Sequence, residues 1–142
     1  MSSYGIQYKL NKRFKLVTTN PNTIMKFAFE DLIVWQKSVT MVKDIYKLSN
    51  TFPKDEKYGI VSQIRRSALS VSSNLAEGSG KMTTKDKANY TSIAFGSLME
   101  TMNLLIISKE VEFIDSKILD KFRTQIAEIA RMLTSLRTAQ LK

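Results

Sequence analysis

The sequence predicts an all-α protein, an antiparallel up-and-down four-helix bundle that carries a short extended or disordered N-terminal arm. Four segments have apolar residues at alternating steps of three and four, the spacing that places them on one face of a helix. The breaks between these segments are short, so consecutive helices are expected to run antiparallel. The sequence shows no alternation of strands and helices, and 142 residues suit a single domain.

Residues 1–26 are predicted to form the N-terminal arm or a translated leader, and residues 27–142 are predicted to form the bundle domain. Apolar residues alternate with polar ones near the start, which is typical of a strand or an extended segment. The segment TTNPN then interrupts regular structure, and Met25 could be the natural start of the protein. The segment lacks the uninterrupted apolar region of a signal peptide. The alternating apolar residues are Ile6, Tyr8, Leu10, Phe14 and Leu16.

The first two helices are each predicted from one apolar stripe. Glu30 and Asp31 precede the first helix and favour its N-terminus, whereas Pro53 blocks its continuation. The second helix is expected to end near Gly78, because glycine suits the left-handed conformation common at helix C-termini. The predicted core residues are Leu32, Trp35, Val39, Val42 and Tyr46 in the first helix, and Val61, Ile64, Ala68, Val71 and Leu75 in the second.

The third and fourth helices begin at recognisable caps. Thr83 precedes the third helix, with Asp86 three residues later in the arrangement of a capping box. Asp115 or Ser116 is expected to cap the fourth. The predicted core residues are Ala88, Thr91, Phe95, Leu98, Met102 and Leu105 in the third helix, and Ile118, Phe122, Ile126, Ile129, Leu133 and Leu136 in the fourth.

The first and third helices each have a second apolar stripe. Two stripes on one helix leave apolar surface uncovered in a small monomer, and such a patch usually marks an interface. A wide stripe could instead face two neighbours within the same bundle; we favour self-association. The additional residues are Val34, Met41, Ile45 and Leu48 in the first helix, and Tyr90, Ile93, Met99 and Ile106 in the third.

The composition argues against an enzyme and against a metal or other cofactor. The chain has no cysteine and no histidine, which removes disulfides, thiolate nucleophiles and the commonest general base and zinc ligand. The segment EGSGKMTT lacks the spacing of a phosphate-binding loop, because Leu75 stands where the first glycine is required and Met82 where a hydroxyl is required. The longest apolar run has four residues, far from the roughly 20 that a membrane span needs.

The chain has 22 basic and 13 acidic residues, a formal net charge of +9. A basic surface attracts polyanions such as nucleic acids. Many soluble domains are basic without a nucleic-acid partner, so the charge alone leaves both alternatives open. The lack of cysteine fits a cytoplasmic protein.

The segment QIRRSALSVSSNLAEG, residues 63–78, carries a line of small polar residues beside the core stripe of the second helix. Small side chains allow another backbone to approach closely, and their hydroxyls and amides can bond across the contact. We therefore predict an oligomer interface here. A carboxylate on the largely apolar third helix is expected to need an arginine partner. The predicted interface residues are Ser67, Ser70, Asn74, Glu77 and Glu100.

Arg65 and Arg66 lie on the more exposed arc of the second helix, and three lysines follow its end. Guanidinium groups suit phosphate oxygens and lysines add charge, so this set predicts a phosphate-contacting surface. Its binding would be largely indifferent to base sequence, because the chain has no base-reading module. Either arginine could instead pair with a carboxylate; we assign a structural role to one and leave the other open. The predicted nucleic-acid-binding residues are Arg65, Arg66, Lys81, Lys85 and Lys87.

Three segments, FEDLIVWQKS, SQIRRSALSVSSNLAEG and GSLME, resemble the four-helix-bundle proteins encoded within intervening sequences of bacterial 23S ribosomal RNA genes, a family formerly labelled as a ribosomal protein. This family is similar to the accessory variability protein of diversity-generating retroelements. The resemblance covers residues 27–138 and implies a ring-like homopentamer with a basic surface. For the retroelement relatives it also implies binding of nucleic acid and of a reverse transcriptase. Ser72 stands where the family usually has proline, which is expected to straighten the second helix.

The sequence as a whole predicts a non-catalytic, basic, oligomeric bundle that binds the backbone of RNA or DNA as an accessory to a nucleic-acid enzyme. The alternative is a protein–protein interaction scaffold with no direct nucleic-acid role. The expected partners are further copies of the chain, nucleic acid, and a reverse transcriptase or another nucleic-acid enzyme. No membrane association, metal or cofactor is expected.

Overall fold

The computed structural model describes Phe14, Lys15 and residues 24–142. Four helices make up the bundle: α1 (Ile33–Ser49), α2 (Ile60–Ser79), α3 (Thr84–Glu110) and α4 (Ser116–Gln140). Short 3-10 turns at Ala28–Asp31 and Lys54–Glu56 precede α1 and α2. Each helix packs against the next along the chain, and α1 also contacts α4. The predicted all-α four-helix fold is confirmed.

A short antiparallel ribbon precedes the bundle. Strand β1 (Phe14–Lys15) pairs with β2 (Lys26–Phe27), and Phe14 lies opposite Phe27. The predicted extended segment therefore includes a strand at Phe14. The other residues of its alternating pattern and the segment TTNPN lie outside the described residues, and the boundary proposed at residue 26 stays a prediction.

The predicted caps of the last two helices are confirmed. The Thr83 hydroxyl accepts a hydrogen bond from the backbone N–H of Asp86 at 3.1 Å. The Asp115 carboxylate accepts one from the N–H of Ile118 at 2.8 Å. Each bond satisfies an N–H group that has no partner within its helix.

The core residues predicted for α2 and α4 are confirmed. All five residues of the α2 stripe are buried, as are Phe122, Ile126, Ile129 and Leu133 of α4, while Ile118 and Leu136 are partly buried and pack against the core. In α3 each predicted residue is either buried or partly buried in contact with the core.

The stripe predicted as the core of α1 is only partly buried, with Leu32, Trp35 and Val42 packed against the core. The line assigned as surplus provides the buried face, with Val34, Met41 and Ile45 in the core, while Tyr46 is exposed. Ser38 and Ser49 share this buried face and donate their hydroxyls to carbonyls of their own helix. Because serines interrupt the buried line, the neighbouring line looked more apolar in the sequence.

Gly78 has a different role from the predicted one. It lies inside α2, and the described glycines have no positive φ. A Cβ atom at Gly78 would approach the Cβ of Tyr90 to 2.7 Å, closer than two such atoms can come. Gly78 therefore allows α3 to pack closely on α2. The helix also continues through Ser72, whose hydroxyl donates to the carbonyl of Leu69 at 3.0 Å.

Candidate nucleic-acid interface

The five cations predicted to contact phosphate do not form one surface. Arg65 and Arg66 lie in the first third of α2, whereas Lys81 follows the end of that helix and Lys85 and Lys87 lie in the first turn of α3. Lys81 follows Arg66 by 15 residues, which places them roughly 20 Å apart along the helix axis. The two groups belong to opposite halves of the bundle.

Arg65 is held within the chain. Its Nε donates to the Ser49 hydroxyl at 2.8 Å, and a terminal nitrogen donates to the side-chain oxygen of Asn50 at 2.8 Å. Its guanidinium also lies 4.5 Å from the centre of the Tyr46 ring, in cation–π geometry. Arg65 therefore ties α2 to the C-terminal end of α1, a structural role, although its partners are a hydroxyl, an amide oxygen and a ring rather than the predicted carboxylate.

Arg66 is exposed and, within the described part of the chain, has no ion pair or hydrogen bond. Glu100 is exposed in the same way on α3. The expectation that Glu100 needs an arginine partner was wrong for the single chain, because solvent reaches its carboxylate. The two opposite charges thus face outward on neighbouring helices.

The turn between α2 and α3 concentrates positive charge. Residues 78–87 contain three lysines and one carboxylate, Asp86. The Lys81 amine lies 4.7 Å from the centre of the Tyr90 ring. Lys85 is exposed, while Lys87 is partly buried and borders an apolar cavity of about 250 Å³ that also contacts Phe29.

Arg137 of α4 joins this end of the bundle, and the sequence interpretation missed it. Its Nε donates to the Ser92 hydroxyl at 2.7 Å. Arg137, Lys85 and Asn89 border a shared cavity of about 440 Å³ beside Asp86. An up-and-down topology brings the end of α4 beside the start of α3. The predicted topology alone could therefore have placed Arg137 near Lys85. We call Lys81, Lys85 and Arg137 the cationic end.

The predicted interface residues on α2 lie along its contact with α3 of the same chain. Ser67 is 3% exposed and accepts a hydrogen bond from the Thr101 hydroxyl at 2.9 Å. The hydroxyls of Ser70 and Ser97 are 2.8 Å apart. Asn74 donates to Ser70. The small residues therefore allow α3 of the same chain to pack closely on α2. A role for this set in oligomer contacts stays a prediction.

Glu77 lies at the exposed end of the same contact, where its carboxylate accepts a hydrogen bond from the Tyr90 hydroxyl at 3.4 Å. No group of acidic side chains in the described residues is arranged to hold a metal ion.

Two comparisons with known proteins found matches. The model of the family described as 23S rRNA-intervening sequence protein matches residues 30–135. The chain is also similar to a crystal structure described as a protein with unknown function from the S23 ribosomal protein family of Bacteroides thetaiotaomicron VPI-5482. The two share 24% sequence identity with a TM-score of 0.69, and the match covers 74% of this chain and 98% of the other.

No curated protein matches the chain in sequence. Neither of the two matches indicates a catalytic role. The structural match supports the fold, and the family match spans most of the four helices. The resemblance found in the sequence is therefore confirmed, and the chain belongs to the 23S rRNA-intervening sequence protein family.

Proposed function

We propose that the protein is a non-catalytic helical bundle that binds the phosphate backbone of RNA or DNA through the cationic end. The observation that carries this proposal is that Lys85 of α3 and Arg137 of α4 border one cavity, while Lys81 lies in the α2–α3 turn at the same end of the bundle. Lysine and arginine release condensed counterions when they contact phosphates, which favours binding at low salt.

The cationic end suits contacts to the backbone better than contacts to bases. Its cavity is lined by the amine of Lys85, the guanidinium of Arg137, the carboxylate of Asp86, and polar groups such as Asn89 and Ser92. The nearby ring of Tyr90 is partly buried and contacts Lys81 and Glu77, so it is not presented for base stacking. The family description names 23S rRNA, which makes structured ribosomal RNA the first ligand to test.

The test compares two double variants with equal loss of charge. Lys81→Gln with Lys85→Gln should weaken binding of structured RNA at least about tenfold in a filter-binding titration at low salt. Lys43→Gln with Lys54→Gln changes two exposed lysines elsewhere on the bundle and should have a much smaller effect. Equal affinities for the two variants, or no binding by the unmodified protein, would contradict the proposal.

The expected assembly and partners belong to the same proposal. Several copies in a ring, five by resemblance to the family, would present several cationic ends to one nucleic acid and raise its apparent affinity. A reverse transcriptase or another nucleic-acid enzyme would be the protein partner, in the cytoplasm. Solution mass with and without RNA tests the assembly, and co-purification with a reverse transcriptase tests the partner.

A protein–protein scaffold remains the second candidate function, because apolar residues on α3 are exposed. In that case the positive charge of the cationic end would have no role in binding. RNA binding that is lost in the Lys81 and Lys85 variant while the assembly stays intact would count against it.

A further inference from the structure

Helix α3 is apolar on the side that faces away from the bundle as well as on its core side. Leu98 and Leu105 are fully buried, yet four large apolar residues on the opposite side are between 36% and 45% exposed. These residues are Ile93, Met99, Ile106 and Ile107. By length and composition α3 is also apolar enough to cross a membrane.

The exposed side of α3 is also nearly free of charge. From residue 89 to residue 108, Glu100 is the one charged residue in the sequence. The other helices of the bundle carry several charges over a comparable length. Exposed apolar residues that cluster in this way indicate a surface that another molecule covers.

Gly96 supplies a second, independent observation. It lies in the middle of α3 on the exposed side, where a Cβ atom would meet nothing within 4 Å. Glycine inside a helix is less stable than alanine, because it loses more backbone entropy on folding. Nothing in the described part of the chain requires glycine at this position. Close approach of a helix from another molecule would require it.

Arg66 and Glu100 supply charge complementarity beside this surface. The hydrogen bond between Ser67 and Thr101 places Arg66 of α2 and Glu100 of α3 at nearly the same height along the bundle. Both are exposed, and neither has a partner among the described residues. A second copy can therefore supply the opposite charge to each.

We infer that a second copy of this chain docks on the α3 outer face, which consists of Ile93, Gly96, Met99, Glu100, Ile106 and Ile107. Arg66 of one copy pairs with Glu100 of the other, and Gly96 lets the two backbones approach. Copies with a net charge of +9 repel one another, which favours contact through this face of low charge. The inference deepens the self-association in the proposed function by naming its surface.

Charge exchange tests the pairing. Arg66→Glu alone and Glu100→Arg alone should each reduce the association constant at least about tenfold, because like charges would meet in the contact. The double variant Arg66→Glu with Glu100→Arg should restore assembly. Lys43→Glu, an equal charge reversal on α1, is the control. Sedimentation velocity over a range of concentrations measures the association.

Gly96→Leu separates assembly from folding. The single chain has open space at this position, so the dilute variant should unfold at an equal or higher temperature while its association is lost. The monomeric variants should still bind RNA, with the lower affinity of a single cationic end, and binding should fall further when Lys81 and Lys85 are also replaced. Failure of this inference can thus be distinguished from failure of the proposed nucleic-acid binding.

Three results would overturn the inference. One is an unmodified protein that stays monomeric at all concentrations tested. Another is a double charge-exchange variant that does not assemble better than either single variant. The third is a monomer that binds phosphatidylcholine vesicles through α3, because a bilayer would then be what covers the α3 outer face.

Discussion

The contact between α2 and α3 is filled by small residues, whereas the contact between α1 and α4 is bridged by long ones. On the first, Ser67 and Gly78 allow the helices to approach until hydroxyls bond across the contact. On the second, Lys37 reaches Glu128 at 2.9 Å and Gln125 donates to Asp44 at 3.0 Å. Asp44 and Gln125 also line an apolar cavity of about 330 Å³, together with Leu48, Ile118 and Phe122.

This difference shows how side-chain size sets helix spacing in a small bundle. Small residues lose little entropy on burial and let two backbones come close, so many weak contacts form together. Long charged side chains must be ordered to bridge a wider gap, and solvent screens the bridge. Stability should therefore depend much more on the α2–α3 contact than on the α1–α4 contact.

The largest expected effect is at Gly78. Gly78→Val places carbon atoms against the Cβ of Tyr90 and forces α2 and α3 apart, which should reduce the free energy of unfolding by about 3 kcal/mol. Gly96→Val makes the same substitution on the open side of α3 and should change it by less than about 0.5 kcal/mol in dilute protein. Urea unfolding measures both, and equal effects would contradict the close packing at Gly78.

An intermediate effect is expected at Thr101. Thr101→Val keeps the shape of the side chain but removes the buried hydroxyl that bonds to Ser67 and to the carbonyl of Ser97, at a cost of about 1–2 kcal/mol. Thr134→Val is the matched control, since this exposed hydroxyl bonds only to the carbonyl of Ala130. A control variant as unstable as Thr101→Val would show that the bond across the contact adds nothing.

The smallest effect is expected at the α1–α4 contact. Glu128→Gln removes the ion pair with Lys37, whose partners are 49% and 40% exposed in their side chains, and should cost about 0.5 kcal/mol or less. Thermal unfolding at low and at high salt measures this, and the small difference should vanish at high salt. A loss above about 2 kcal/mol would contradict the claim that the α2–α3 contact contributes more to stability than the α1–α4 contact.

Uninterrupted apolar stripes made most of the core predictable from the sequence. In α2 and α4 the apolar spacing alone identifies the buried face, because an apolar residue stands at each step of three or four, although Ser67 is also buried on the α2 face. In α1 the buried face contains Ser38 and Ser49, so the apolar pattern favoured the wrong line. At Gly78, a glycine that ends a helix and a glycine that admits another helix look the same in the sequence, and only the position of Tyr90 separates them.

The candidate site was only partly predictable for the same reason. Lys81 and Lys85 are close in the sequence, so their cluster could be recognised without the fold. Arg137 lies on α4, far from both lysines in the sequence although it borders the same cavity as Lys85. Arg65 donates a hydrogen bond to Ser49, a residue of another helix. The order of residues along one helix cannot show contacts that depend on how two helices are aligned.

The salt dependence of RNA binding tests the central claim most directly. The triple variant Lys81→Gln, Lys85→Gln and Arg137→Gln should reduce the slope of the logarithm of affinity against the logarithm of salt concentration by about 2–3. A triple variant at the exposed residues Lys43, Lys54 and Arg123, also changed to glutamine, should leave the slope nearly as it is in the unmodified protein. Equal reductions in both would contradict a phosphate-binding surface at the cationic end.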